Sequence, residues 1–356
     1  MFKILTILGA RPQFIKASVI SNLLKTNKYK HKAKETILHT GQHFHSNMSS
    51  DFFNELGIDT PKYNLGINNL SSGSMIGRMI EQIESIIKLE NPDWMLLYGD
   101  TNSTLSGAIA GAQTKTSIAH VEAGVRSYNK SMPEGINRVL TDQVSHKLFT
   151  PTINATKNLI KEGFSEKDIL NAGDVMLDVS LAYRNKAKKS RILNQLNLKT
   201  KKYVLCTVHR QSNLESKIYI KNIIDALKDT DETVILPLHP RTKSALIEYN
   251  IKTPRNVFLI QPLGYIDMLS MVSNSRIVVT DSGGIQKESS FFNVPCLVLR
   301  EETEWPELVD NRCSVLVGTS KANINNGLKK KKYNSTKTNL FGDGHAGEKI
   351  VNALLN

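Results

Sequence analysis

The chain has 356 residues, 22% of them charged, and a formal net charge of +13. That length accommodates two domains of ordinary size, each with its own core, and the composition is that of a soluble globular protein. The lysine clusters at 186–189, 199–202 and 329–332 carry no interleaved aromatics, so they describe a solvated surface and not a nucleic-acid stacking platform. The positive excess would still favour an anionic small substrate through long-range attraction. Cys206, Cys296 and Cys313 sit singly in apolar strand-like runs and read as small core residues of a reducing compartment. The apolar start MFKILTIL ends at Gly9, short of a secretory signal, and no run approaches the length of a membrane span. The expected location is the cytoplasm, with no membrane contact.

Strand-like runs occur in the first half at 2–8, 36–40, 94–99, 117–121 and 147–150. Helical patterns lie between them at about 12–26, 46–56, 74–90, 102–114, 134–145 and 153–162. The second half repeats the rhythm, with strands at 203–208, 233–238, 257–260, 276–280, 296–299 and 314–317. Such alternation predicts two doubly wound α/β domains, each a parallel sheet covered by helices on both faces. The expected division is 1–172 and 173–342, with a polar hinge region over 184–202 and a terminal helix at about 343–356 packing back on the first domain. Ligands in this architecture sit beyond the carboxyl ends of the strands.

Thr280-Asp-Ser-Gly-Gly-Ile-Gln-Lys-Glu288 follows the buried run Ile277-Val278-Val279. Two glycines make a tight turn, and a helix is expected from about Ile285. N–H groups at such a turn, with the positive helix end behind them, form a phosphate cradle. Glu288, one turn in, could accept hydrogen bonds from ribose hydroxyls. Together these residues describe a nucleotide site.

Other polar groups also fall after strands. Arg11 and Lys16 follow the first strand at a helix N-terminus, where cations are out of place unless an anion offsets the dipole; two ordinary surface cations would read the same way. Asp100 follows 94–99 and could be a plain N-cap. Glu122 follows 117–121, and packing does not explain a carboxylate there. Met132-Pro-Glu134 opens a helix. His209 and His239 occupy equivalent places in their own strand–helix units. His43 and His45 have no further ligand at metal spacing, so no metal is expected. With neither G-x-G-x-x-G nor a Walker loop, no cofactor is expected.

The motifs TGQHF, GDTNSTL, HVEAGVRS, MPEGINR, HR, PLHPRT and TDSGGIQKE, in this order, resemble the non-hydrolysing UDP-N-acetylglucosamine 2-epimerases over nearly the whole chain. The resemblance implies the two-domain glycosyltransferase-B architecture with a UDP-sugar in the interdomain cleft. It also implies a homodimer and a role in supplying surface-polysaccharide precursors. By position, Arg11 and Lys16 match cations that meet pyrophosphate and substrate, and Asp100, Glu122 and Glu134 match the acids implicated in proton transfer. His209 matches the catalytic-site histidine and Arg138 the arginine after the third carboxylate. Ser282, Gly283 and Gly284 match the phosphate turn, Glu288 the ribose-binding glutamate and His239 a nucleotide-side histidine. Pro262 to Met268 resembles a loop that holds uracil through its backbone.

The start GARPQFIK replaces the family's common GTRPEAIK, and Gly135 stands where a second acid is usual. The GARPQFIKA start, with the Asn47-Met-Ser49 and TEWPEL runs, looks more like the branch acting on UDP-2,3-diacetamido-2,3-dideoxyglucuronate. The alternative substrate is UDP-GlcNAc. A sugar transferase of the same architecture would share the UDP turn, but the three acids of the first half favour epimerisation. The expected chemistry is elimination of UDP to a 2-acetamidoglucal, then re-addition with reprotonation of C2 on the other face.

Overall fold

Short aliphatic strands, each followed by a helix, divide the chain into two units in a computed structural model that describes residues 1–42, 50–129, 132–330 and 339–356. One unit is Met1–Val179 with Asn339–Asn356, the other Ser180–Thr338. The first contains β1 (Phe2–Leu8), α1 (Arg11–Leu24), β2 (Ala33–His39), α2 (Ser50–Leu56), β3 (Tyr63–Asn64), α3 (Ser72–Glu90), β4 (Trp94–Tyr98) and α4 (Asn102–Gln113). It continues with β5 (Ser117–Val121), α5 (Pro133–Val144), β6 (Lys147–Thr150), α6 (Ile153–Lys161) and β7 (Ile169–Asn171). Helix α7 (Val175–Lys188) carries the chain into the second unit. There follow α8 (Ile192–Gln195), β8 (Tyr203–Thr207), α9 (Gln211–Leu214), α10 (Lys217–Lys228), β9 (Thr233–Pro237), α11 (Pro240–Glu248) and β10 (Val257–Ile260). The unit is completed by α12 (Tyr265–Asn274), β11 (Ile277–Thr280), α13 (Gly283–Phe291), β12 (Cys296–Val298), α14 (Pro306–Asp310), β13 (Ser314–Leu316) and α15 (Lys321–Lys329). The last helix, α16 (Ala346–Leu355), belongs to the first unit.

The first sheet runs β3-β2-β1-β4-β5-β6-β7 and the second β10-β9-β8-β11-β12-β13. Both are parallel throughout. Period-two side chains split the second unit's core into two layers, as helices on both faces require. Val204 and Cys206 of β8 join Val234, Leu236, Ile277, Val279 and Leu297 on one face. Tyr203 and Leu205 join Ile235, Val278, Cys296 and Val298 on the other. Fully burying such a side chain is worth roughly 1.5–3 kcal/mol. These layers pin each strand's register, and the register places the strand ends.

The doubly wound reading holds in both units. The edge strands β3 and β7, of two and three residues, are additions too short to show a period. The polar stretch 184–202, expected as a hinge, contains the end of α7 and all of α8. Its Lys, Arg, Ala and Gln residues are good helix formers and build a solvated helical segment. Part of the expected helix 46–56 lies outside the described residues. Among the described residues no helix is long and apolar enough to cross a membrane.

Strand order reverses direction between β1 and β4 in the first sheet and between β8 and β11 in the second. In open parallel sheets this switch point, beyond the carboxyl ends, is where ligands bind.

Candidate active site

In the first unit the turns after β1 and β4 meet at the switch point. Helix α1 begins without a side-chain cap from Ala10; Gln13 takes over that work. Its Oε1 accepts from the N–H groups of Gly9 and Ala10 at 2.8 and 3.0 Å. Its Nε2 donates to Tyr98 O at 2.8 Å and Thr104 Oγ1 at 2.9 Å, so one buried amide ties the first turn to the fourth strand. Gly9 is compulsory there, because a Cβ would lie 1.9 Å from Ser103 Oγ. The TGQ and GDTNST motifs also interlock: Ser103 Oγ lies 2.7 Å from both Thr40 Oγ1 and Gln42 Oε1.

This scaffold brings Lys16 to Glu122, Nζ to Oε2 2.8 Å, with both side chains largely buried. Lys16 Nζ also passes over Gly99, where a Cβ would be 3.3 Å away. Glu122 has φ +75. A left-handed non-glycine residue is uncommon, and such strain costs of order 1–3 kcal/mol and concentrates at functional sites. Asp100 is ion-paired with Arg138. It is not the helix cap its position allows: Thr101 caps α4 by accepting from Thr104 N–H. Asn137 Nδ2 holds the Asp100 carbonyl at 2.9 Å. Arg11 is half-buried, and burial lowers its guanidinium pKa against the opposing pull of Glu55. Glu134 is exposed in the first turn of α5, next to the undescribed residues 130–131. His43, His45 and 47–49 also lie outside the described residues.

Behind these groups lies a buried polar network. His120 Nδ1 is 2.6 Å from Asp142 Oδ1 and its Nε2 is 2.7 Å from Gly99 O. Asp142 Oδ2 accepts from Gly124 N–H at 3.1 Å and pairs with Arg126 at 2.7 Å. Arg126 forks onto Glu162 at 2.8 and 2.7 Å. Burial alone would raise the Asp142 pKa, but His120 and then Arg126 outweigh it and hold the carboxyl below its ordinary value. Helix α5 buries Asn137, Arg138, Thr141 and Asp142 while exposing Ile136, Val139 and Leu140. That inversion, readable as a polar stripe at helical spacing, is the signal by which Asp142 could have been found.

In the second unit Asp281, fully buried, organises the corresponding turns. It accepts from the N–H groups of His209 at 3.0 Å and Arg210 at 2.9 Å, and from Asn213 Nδ2 at 3.1 Å. His209 Nδ1 stands 3.3 Å from its carboxylate. Ser282 caps α13, which starts at Gly283 and not at Ile285. The glycines need no side-chain room and already sit in the first helical turn, so the helix runs back into the cradle. A Cβ on Gly283 would come within 3.4 Å of Trp305 Nε1 and 3.8 Å of Glu304 Oε2. Gly284 stands beside it, open on that side apart from Ser282 Oγ at 3.9 Å. Glu304 is held by Arg210 at 2.9 Å and by Arg300, and Lys287 Nζ lies 4.2 Å from the Trp305 ring centroid.

Glu288 is buried beside Tyr265, whose hydroxyl pKa is raised by burial and by that carboxylate. His239 caps α11 by accepting from Arg241 N–H at 3.2 Å, and its ring is 5.6 Å from that of His209. Met268 lies in the first turn of α12, not in a loop: its N–H bonds Gly264 O at 3.0 Å and its side chain packs on the core. Gly264 starts that helix because the next residues, Tyr265, Leu269 and Val272, have core positions to fill. Sequence reasoning missed Gln13, His120, Asp142 and Asp281 as organisers; apart from the stripe that holds Asp142, hydrogen bonds between distant segments leave no local period. Among the described residues no cluster of His, Cys, Asp and Glu could hold a metal ion.

A family model described as UDP-N-acetylglucosamine 2-epimerase matches residues 25–355. A UDP-N-acetylglucosamine 2-epimerase homolog from Methanococcus maripaludis is 46% identical, over 99% of each chain. The UDP-2,3-diacetamido-2,3-dideoxy-D-glucuronate 2-epimerase of Pseudomonas aeruginosa is 44% identical over 99% of each. The crystal structure of Methanocaldococcus jannaschii UDP-GlcNAc 2-epimerase in complex with UDP-GlcNAc and UDP superposes with a TM-score of 0.90, at 38% identity and 99% coverage of each chain. The chain belongs to the UDP-N-acetylglucosamine 2-epimerase family, whose members are epimerase-type isomerases.

Proposed function

We propose that the protein inverts C2 of a UDP-2-acetamido sugar, and that the sugar is 2,3-diacetamido-2,3-dideoxy-D-glucuronate. In this reading a carboxylate of the first unit removes the C2 proton while the C1–O bond breaks toward UDP. The product pair is a 2-acetamidoglucal and UDP. UDP then adds back at C1, and a second acid returns a proton to the opposite face of C2. Two proton transfers on opposite faces need two positioned acid/base groups, each typically worth roughly 10²–10⁴ in rate. Glu122 beside Lys16 and Asp100 beside Arg138 suit those roles. Glu134 is the third candidate, and His209, whose Nδ1 stands 3.3 Å from Asp281, is the histidine of the proposed catalytic set. Donors aimed at developing charge are the largest help to such a step, and Ser282, Gly283 and Gly284 with the α13 N-terminus supply them. Glu288 would hold the ribose, and Arg11 and His239 the nucleotide.

The observation that carries the sugar assignment is the 44% identity, along the whole chain, to the diacetamidoglucuronate enzyme. Identity to the jannaschii UDP-GlcNAc enzyme is 38%. That structure's UDP-GlcNAc complex supports UDP-GlcNAc as the second reading. The test is to incubate the enzyme with each UDP-sugar separately, without acceptor, and follow the C2 epimer and free UDP. Epimer from the diacetamidouronate with UDP-GlcNAc untouched is the expected result. Turnover of UDP-GlcNAc alone refutes the sugar assignment, and stoichiometric release of UDP refutes epimerisation.

A further inference from the structure

We infer that His120 is a positioning residue held with both ring nitrogens protonated, and that this buried imidazolium locks the Gly99–Asp100 turn to the Glu122 turn.

The argument is an inventory of donors and acceptors. The Gly99 carbonyl can only accept, so at 2.7 Å His120 Nε2 donates to it. Asp142 is ionised: the Arg126 guanidinium at 2.7 Å and the Gly124 N–H at 3.1 Å stand on its second oxygen, and its neighbours hold the carboxyl below its ordinary value despite burial; a carboxylate only accepts. At 2.6 Å His120 Nδ1 therefore donates as well. A ring that donates from both nitrogens is the cation. Its ring and the Asp142 carboxylate are fully buried, where an uncompensated charge would be prohibitive. Here it is compensated. His120 and Arg126 are the cations, and Asp142 and Glu162 the anions, so the four groups sum to zero. Lys16 and Glu122 form a second neutral pair alongside.

The network's consequence lies in what it touches. One ring nitrogen holds the carbonyl immediately before Asp100. The other holds the carboxylate that anchors Gly124, two residues after Glu122. Gly124 itself has φ +75, and a Cβ there would lie 2.3 Å from Ala155 O, so only glycine fits this turn. Glu122, at φ +75, is strained between His120 and Gly124, and the network over-determines its place. The two turns are neighbours through β4 and β5, which pair in parallel. Backbone bonds tie Gly99 N–H to Val121 O at 3.0 Å and Glu122 N–H to Phe149 O at 3.1 Å; the imidazolium adds a side-chain bridge from the Gly99 carbonyl to the Gly124 turn. The functional part of this inference rests on the proposed proton-transfer roles of Asp100 and Glu122; the protonation state does not.

The test has two readouts on the full-length enzyme. Histidine-selective ¹⁵N NMR of the unmodified protein at neutral pH should contain a His120 signal with both ring nitrogens protonated. That signal should be absent from a His120→Gln variant. A neutral ring at His120 overturns the inference whatever the activity. Kinetically, His120→Gln should lower kcat by about 10²-fold, the scale of a misplacement of order 1 Å, while UDP affinity stays within a few-fold. His120→Asn, which can mimic the Nδ1 donor to Asp142 but cannot reach Gly99, should not restore kcat. Unchanged kcat in folded His120→Gln overturns the positioning role. Loss of UDP binding together with kcat would mean that the change is a general structural one, and also overturns it. If no UDP-sugar is turned over by the unmodified enzyme, the functional reading fails while the NMR result stands by itself.

Discussion

At the scale of single residues, the question is why a carboxylate sits in a strained conformation against a lysine. A structural role would be served better by glycine at φ +75, which adopts that region at no steric cost. Retaining Glu122 there, six per cent exposed and 2.8 Å from Lys16, makes sense if the acid itself is used. Glu122→Gln keeps the shape and an acceptor for Lys16 but cannot take a proton. Its kcat should fall by roughly 10²–10⁴, with UDP affinity within a few-fold, since Glu122 is not among the proposed UDP contacts, which apart from Arg11 are in the second unit. Collapse of UDP affinity, measured by titration calorimetry, would make Glu122 structural. Glu35 offers a contrasting half-buried acid, away from the strand ends. Thr6 donates to it at 2.6 Å, yet burial raises its pKa. The unfolded chain therefore releases this proton first. The stabilising contribution is complete below the ordinary glutamate pKa of about 4.3 and is lost as pH rises through the raised native value. Glu35→Gln should accordingly gain on the unmodified protein as pH rises, read from urea midpoints on both sides of that window. A gap independent of pH would show that the carboxyl titrates normally.

At the scale of elements, what could be read was whatever has a period or a breaker. Eleven strands were expected from apolar runs such as Phe2–Leu8 and Val257–Ile260, which appear with those bounds. Arg11, Asp100, Glu122, His209, His239 and Ser282 fall just beyond the ends of strands, because turns after apolar runs are visible one at a time. What links the turns was not visible: Gln13 reaching Tyr98, His120 reaching Gly99, and Asp281 gathering residues some 70 positions back. A terminal helix packing back on the first domain was expected, and α16 belongs to the first unit; the residues that seat it against α1 left no local signal. Gly347 donates its N–H to Asp178 at 2.8 Å, and its missing side chain lets α16 approach α1, since a Cβ would meet Val19 Cγ1 at 2.3 Å. Gly347→Val should therefore destabilise by about 1–3 kcal/mol through overpacking. A lower urea midpoint with unchanged m-value is the expected signature. Equal or greater stability would mean that the two helices can separate at little cost.

At the scale of the whole molecule, the two sheets share one plan. Each sheet reverses its strand order once, and each places polar groups at that reversal. The first unit gathers acids matched with cations; the second gathers a helix N-terminus, a buried aspartate and histidines. That division suits a reaction in which one half of the substrate leaves as an anion and the other exchanges a proton. Composition and alternation were enough to foresee two doubly wound units, but not which turns face each other, since that depends on strand order. The proposed elimination makes a demand on the entire enzyme that no single contact can meet. Each turnover must break the C2–H bond, and the proton returned comes from a group on the opposite face that equilibrates with solvent. In D₂O the epimer should therefore carry one deuterium at C2, and substrate recovered at equilibrium should carry it too, because the reverse reaction passes through the same glycal. Mass spectrometry with ¹H NMR at C2 decides this. Epimer formed without solvent label would mean that the proton taken from one face is handed to the other without exchange, or that C2–H is never broken, and the two-acid reading would have to be abandoned.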